Sequence, residues 1–369
     1  MNLAMQLGKT LLLKPFFIAF IISFISTPFV IRLANYWGLV DDPQKRKHPA
    51  HTEARVIPRA GGLAIFLGIL VGTALTVTFS KQLVGILLGA GLIVGVGLAD
   101  DKLDLNPYFR FATNILAALL VVGSGIGVSY ITNPFGPGVI HLDAWRISFD
   151  FLGRHSLLFL ADLLAIVWIV WCTNMVNWSK GVDGQMPGFV AISAIVLGLL
   201  SFRFTMVDLA QWVVASLAFI TAGAYLGFLP FNFYPQKIMP GYGGGALAGY
   251  LLAVLAITSG GKVATALLVL GIPFLDAGYT IIRRLLQRKS PFWGDRGHLH
   301  HKLLDLGWGK RRVALFYWVL SVILGLIALN LSSQEKLFAI LAVALVLGGL
   351  LLWLKLFLPS FTRPDRDNG

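Results

Sequence analysis

Residues 83–101 read LVGILLGAGLIVGVGLADD: an uncharged apolar run, Leu83 to Ala99, that ends on two adjacent aspartates. The run matches the roughly 17–25 residues that a helix needs to cross a bilayer. Asp100 and Asp101 therefore stand where hydrocarbon gives way to water. Neighbouring carboxylates repel unless a cation or a shared proton relieves them. An acidic pair at a membrane surface is also a natural place to hold Mg²⁺ against a phosphate.

The rest of the chain reads the same way. Of 369 residues, 57% are hydrophobic and 13% charged, where a soluble domain carries about 25% charge. Mean hydropathy is +0.78. Apolar runs of about 20 residues suit helices rather than barrel strands of roughly 10. Eleven segments are expected to span: 15–34, 61–79, 83–99, 109–128, 156–176, 186–202, 209–228, 245–259, 263–282, 313–331 and 337–358. The predicted fold is an all-α, polytopic membrane helix bundle of about 11 transmembrane helices, forming one domain over residues 1–369. Lys9 and Lys14 precede an apolar stretch with no small-residue cleavage site after it, which predicts an uncleaved first helix. Cys172 is the sole cysteine, so no intramolecular disulfide can form.

Alternating the loops gives an orientation. Loops 35–60, 100–108, 177–185, 229–244 and 283–312, with the tail from 359, hold nineteen lysines and arginines, and the opposite set holds eight. The basic set is expected on the cytoplasmic side, with the N-terminus outside and the C-terminus cytoplasmic. Topology thus accounts for the net charge of +13, and no nucleic-acid partner is expected. On the other side, Asn133 to Gly138 forms a Pro/Gly cluster within loop 129–155, which predicts a small external hairpin. Asp162 and Asp276 are the few acidic groups within spans, too few for a transporter's ion path. Asp276 is expected to pair with a basic group.

The unusual polar clusters all fall on the basic side. Asp42-Pro-Gln-Lys-Arg-Lys-His48 and Ile57-Pro-Arg-Ala-Gly-Gly62 supply cations suited to a lipid phosphate. Asn174 and Asn177 are spaced so that both amides can face one ligand if the helix persists, and Asp183 follows in a turn. Residues 241–245 form a glycine-rich run that can present backbone N–H groups to phosphate. His298, His300 and His301 sit beside Asp295 and Arg296, a set suited to anion, sugar or metal recognition.

In this order, the pieces resemble the polyprenyl-phosphate N-acetylhexosamine-1-phosphate transferases, the superfamily that includes the phospho-N-acetylmuramoyl-pentapeptide transferase. The resemblance runs from Asp42 to Leu304 through the Lys-His and Pro-Arg-x-Gly-Gly loop, the Asp-Asp pair, Asn-x-x-Asn…Asp-Gly, Asn-x-x-Pro-x-Lys-Ile and His-x-His-His. It implies transfer of a sugar 1-phosphate from a UDP-sugar to undecaprenyl phosphate with Mg²⁺ (or Mn²⁺), in a bacterial cytoplasmic membrane, to begin a lipid-linked cell-envelope glycan. By resemblance, Asp100, Asp101 and Asp183 are catalytic and metal-binding. Asn174, Asn177 and Asp183 hold the nucleotide side, and His298, His300 and His301, with Arg296, contact the sugar-phosphate. Lys47, His48 and Arg59 line the lipid-phosphate entrance, and Lys237 joins the binding set. A homodimer stays open.

Two positions depart from the family pattern. Lys180 stands where the first aspartate of Asn-x-x-Asn-x-x-Asp-Gly is usual, and Tyr242 stands at the metal-binding aspartate of Gly-Asp-x-Gly-Ser. Together they raise the site's formal charge by three relative to the family, more than one Mg²⁺ carries. Either Lys180 takes over part of the metal's electrostatic role, or the chain is a non-catalytic homologue that binds polyprenyl phosphate or nucleotide.

Overall fold

The computed structural model describes residues 2–44, 55–133, 136, 138–150, 154–259, 263–290 and 297–357. The elements run α1 (Asn2–Trp37), β1 (Val40–Asp41), β2 (Ile57–Pro58), α2 (Gly61–Thr76), α3 (Lys81–Leu103), α4 (Pro107–Gly123), β3 (Tyr130–Thr132), β4 (Val139–His141), β5 (Arg146–Asp150), β6 (Arg154–Leu158), α5 (Phe159–Trp178), α6 (Gln185–Phe204), α7 (Gln211–Asn232), α8 (Gly241–Thr258), α9 (Val263–Val269), α10 (Gly271–Leu286), α11 (Leu299–Asp305), α12 (Lys310–Asn330) and α13 (Ser333–Phe357). Each of the eleven expected segments is helical. Among the described residues, eight helices are long and apolar enough to cross a membrane, α9 and α10 form a bent pair, and α2 and α4 are shorter apolar helices. Phe17, Ile21, Phe29, Leu88, Val322 and Leu345 point outward, as a bundle solvated by lipid requires. The chain is an all-α polytopic membrane bundle.

Helix α8 is the centre. It is apolar on every side and buried along almost its whole length, the pattern of a helix surrounded by others. Helices α3 and α5 pack on it, while α1, α2, α6 and α7 build the adjoining layer. Glycines set the spacing. A side chain on Gly62 or Gly97 would strike the α8 backbone at Gly243–Gly244, and one on Gly249 would strike the Cys172 carbonyl of α5. Small residues let membrane helices approach backbone to backbone. Hydrogen bonds then fix α8 axially: Tyr225 Oη donates to Gly244 O at 2.8 Å, Tyr250 Oη to Ile86 O at 2.9 Å and Trp168 Nε1 to Ala253 O at 3.1 Å.

Local departures from the expected segments have identifiable causes. The expected loop 100–108 is much shorter, because α3 continues through Asp100 and Asp101 to Leu103. Asp104 ends it in a left-handed conformation (φ 51°), its N–H bonded to Asp100 O, and Asn106 caps α4 with Pro107 in the first turn. Segment 263–282 breaks at Leu270 into α9 and α10, bent by 82°. Pro273 lacks an N–H, and its ring would clash with the carbonyl of Val269, where α9 stops. Loop 129–155 holds the expected hairpin, β3 with β4, with Thr132 opposite Val139. A second hairpin, β5 with β6, follows it. Both lie at the bundle end opposite Asp100, since α4 leads away from the acidic pair. At the acidic end, β1 pairs with β2 and closes loop 35–60.

The glycine spacing makes a clear prediction. Gly97→Leu forces α3 off α8 and should cost about 1–3 kcal/mol or more. Gly95→Leu, whose added side chain meets open space, should stay within about 0.5 kcal/mol. Thermal unfolding of both variants in one detergent checks the difference.

Candidate active site

The site gathers where α3 ends, α8 begins and loop 179–184 crosses between α5 and α6. Asp100 is fully buried and Asp101 is 2% exposed. Buried carboxylates need compensation, and here each oxygen's neighbours can be named. Asp100 Oδ1 accepts from Leu105 N–H at 3.1 Å, and its Oδ2 lies 3.4 Å from Arg110 Nη1. Asp101 Oδ1 lies 3.2 Å from Arg59 Nε and accepts from Tyr242 N–H at 3.1 Å. That last bond puts a carboxylate on the first turn of α8, where the helix dipole favours negative charge. It also compensates an acid at the C-terminal end of α3, where the helix dipole disfavours negative charge. Gly241 (φ 69°) permits the approach, because any side chain there would collide with Asp101 Oδ2 and the Arg59 carbonyl. The β1–β2 ladder sets Asp41 beside Arg59, Oδ1 to Nη1 at 3.3 Å.

Lys180 and Tyr242, the two departures from the family pattern, meet in this cluster. Lys180 Nζ donates to Asn177 Oδ1 and to Gly241 O, both at 2.7 Å, and lies 5.9 Å from the centre of the Tyr242 ring. The Arg110 guanidinium lies over the same ring at 5.5 Å. Tyr242 Oη donates to Asn114 Oδ1 at 3.1 Å, and Asn114 Nδ2 donates to Asn174 Oδ1 at 3.4 Å. Burial pushes the Lys180 ammonium down from the usual lysine range to about 7, against the opposing pull of Asp101 and Asp100. An arriving phosphate anion would favour its charged form again.

Asp183 lies in a neighbouring cluster. Its Oδ1 is 3.2 Å from Lys310 Nζ and its Oδ2 accepts from Gln236 N–H at 3.2 Å. Asn232 ties the same loops together, accepting from Gly184 N–H at 3.1 Å and donating to Ile238 O at 2.9 Å. The histidine loop reaches this region through Gly181, whose hydrogen face packs on the His300 ring. The His298 and His300 rings stack 5.6 Å apart, and those of His300 and His301 lie 4.3 Å apart. Asp276 holds the loop in place. Its Oδ2 is 2.9 Å from His298 Nδ1, and its Oδ1 accepts from Leu299 N–H at 2.7 Å. The expected pairing of Asp276 with a basic group is therefore met by a histidine 22 residues later.

Of the residues singled out in the sequence, Arg59, Asp100, Asp101, Asn177, Lys180 and Tyr242 share one cluster, and Asn174 joins it through Asn114. Lys237 is exposed on its loop. Lys47, His48 and Arg296 lie outside the described residues. Arg110, Asn114, Asp276 and Lys310 were not expected at the site. Arg110 and Asn114 carried a faint signal, two polar groups one turn apart within an apolar helix. Asp276 stood out as an acid within a span but not by its partner, 22 residues away, and Lys310 carried no signal.

The donor set does not suit a divalent ion. Among the described residues no three His, Cys, Asp or Glu side chains group as a metal site. Asp183, expected to complete a set with Asp100 and Asp101, instead faces Lys310, and the other two face arginines.

Asp276→Ala would leave the His298 ring nitrogen and the Leu299 N–H without this acceptor, at about 1–3 kcal/mol per buried group. Faster amide hydrogen exchange over 297–305, with α8 unchanged, is the expected outcome.

The model of "Glycosyl transferase family 4" matches residues 83–260, which includes both aspartates, Lys180 and Tyr242. A decaprenyl-phosphate N-acetylglucosaminephosphotransferase of Mycobacterium leprae is 32% identical over 365 residues, covering 90% of this chain and 87% of its own. A probable undecaprenyl-phosphate N-acetylglucosaminyl 1-phosphate transferase of Bacillus subtilis is 29% identical, covering 86% and 85%. An undecaprenyl-phosphate alpha-N-acetylglucosaminyl 1-phosphate transferase of Yersinia pestis is 27% identical, covering 89% and 84%. With a 32% identical relative matched over most of both chains, and with the acidic pair, the asparagines and the histidine loop meeting at one end of the bundle, the chain belongs to glycosyl transferase family 4, whose members matched here are named as polyprenyl-phosphate sugar-1-phosphate transferases.

Proposed function

We propose that the protein transfers a sugar 1-phosphate, an N-acetylhexosamine 1-phosphate, from a UDP-sugar to undecaprenyl phosphate, beginning a lipid-linked cell-envelope glycan. The observation that carries the reading is an apolar groove joined to the charged cluster. A cavity of about 390 Å³ between α4, α5 and α10 is lined by Phe111, Ile115, Ile166, Trp171, Trp178 and Ile281, with Asn174 among its lining residues. From Asn174, side-chain hydrogen bonds pass through Asn114 to Tyr242, whose ring lies 5.5 Å from the Arg110 guanidinium and 5.9 Å from Lys180 Nζ. An apolar groove whose one polar lining residue, Asn174, is linked through Asn114 and Tyr242 to two arginines and a lysine suits a long hydrocarbon carrying a phosphate.

In the proposed reaction an oxygen of the lipid phosphate attacks the phosphorus that bears the sugar. A new P–O–P linkage forms, the original one breaks, and UMP leaves with the bridging oxygen. Two anions must be brought together, so the residues' task is to offset repulsion and hold the reacting atoms in line. Arg59, Arg110 and Lys180 supply positive charge, Asn174 and Asn177 hold the nucleotide side, and His298, His300 and His301 contact the sugar-phosphate. Asp100 and Asp101 orient the cations, and those cations favour the unprotonated form of the lipid phosphate's attacking oxygen. The basic end faces the cytoplasm, as the distribution of lysine and arginine supports.

Radiolabelled transfer from a panel of UDP-sugars to undecaprenyl phosphate tests this. Labelled lipid should appear with at least one donor, and Asp101→Asn should lower the rate by about 10²–10³. If no donor gives product while a family enzyme works beside it, the protein is a non-catalytic homologue.

A further inference from the structure

The space beside the acidic pair is a built cation seat, and the cation in it belongs to the protein. Asn177 Oδ1 and Gly241 O, an amide and a backbone carbonyl from two different elements, converge on Lys180 Nζ at 2.7 Å each. The Tyr242 ring closes a further side. Gly245 leaves room for this arrangement, since a side chain there would meet Asn177 Oδ1 and come within 3.0 Å of Lys180 Cδ.

Charge around the seat is already balanced. Among the described residues, Asp41, Asp100 and Asp101 face Arg59, Arg110 and Lys180. A divalent ion held by oxygen ligands needs acceptors left for it, and Mg²⁺ needs them in nearly ideal octahedral order. Here Asp100 Oδ1 and Oδ2, Asp101 Oδ1, Asn177 Oδ1 and Gly241 O all engage donors of the protein. Asp101 Oδ2 packs against Gly241. An ion entering would displace an ammonium and then stand beside two guanidinium groups.

We infer that this protein binds its phosphate ligand without a divalent cation, the Lys180 ammonium seated on Asn177 and Gly241 being the cation that meets the phosphate. An ammonium on a flexible stem differs from a metal in one useful respect. It can leave its two oxygen partners for a phosphate oxygen without being lost to solvent. Arg110, whose side chain is 27% exposed, stands next to it to share the load.

The inference takes the identity of the phosphate ligand from the proposed function, so the experiment separates the two. Full-length protein in nanodiscs is titrated with Mn²⁺ and followed by electron paramagnetic resonance. No bound Mn²⁺ at millimolar concentration is expected, and binding in the micromolar range overturns the inference. Undecaprenyl phosphate binding is then measured in EDTA and in Mg²⁺. Affinities within about twofold are expected, and a tenfold loss in EDTA overturns it. Lys180→Met should weaken that binding about 10–100-fold, as loss of a charge-assisted bond implies, and unchanged affinity overturns it. If undecaprenyl phosphate binds in neither condition, the proposed acceptor fails while the Mn²⁺ titration still decides the cation question.

Discussion

Everything at the charged end depends on one compensated burial: the Asp101 carboxylate against the Tyr242 N–H and the Arg59 side chain. The bond couples the end of one helix to the beginning of another, and the central helix cannot shift along its axis without breaking it. Its geometry also explains why Gly241 carries no side chain and why the β1–β2 ladder closes a long loop so tightly. That ladder holds Arg59 with Asp41 on one side and Asp101 on the other. A buried ion pair of this kind is seldom a large net source of stability, because desolvation consumes much of the attraction. Its value here is position.

Much of the architecture was legible in the sequence because lipid imposes a strict rule on the backbone. Each spanning segment must satisfy its own hydrogen bonds, so apolar runs of sufficient length become helices. Each of the eleven runs therefore became helical, while details that depend on single residues, and the short α11 in the expected loop 283–312, were lost. Pro273 divides one run into α9 and α10, and Asp104 with Asn106 pulls the expected loop after α3 back to three residues. The second hairpin, β5–β6, had no glycine or proline cluster to announce it.

The site was legible to the extent that it uses residues unusual for a membrane chain. Asp100, Asp101, Lys180 and the histidines stand out by composition alone. Asp276 stood out too, as an acid within an apolar run, but its partner did not, and Lys310 looked ordinary within a basic loop. Asp183 is the reverse case. The resemblance implied that it shares one acidic set with Asp100 and Asp101, and the turn at Gly184 directs it to Lys310 and Gln236. Likewise Lys180 and Tyr242 read as two separate losses in the sequence, and in space they are one exchange, a lysine packed on an aromatic face.

The bend at Pro273 has a consequence for traffic. Because α10 swings away from α9, the groove beside α5 opens on the flank of the bundle, where Val167 is 56% exposed. The charged cluster lies at the end of the bundle that carries the basic loops, where Arg59 and Arg110 are partly exposed. A hydrocarbon molecule can enter from the bilayer without crossing the path of a water-soluble one. Two small molecules, one greasy and one polar, could then occupy the protein together, and their inhibitory effects would multiply rather than compete.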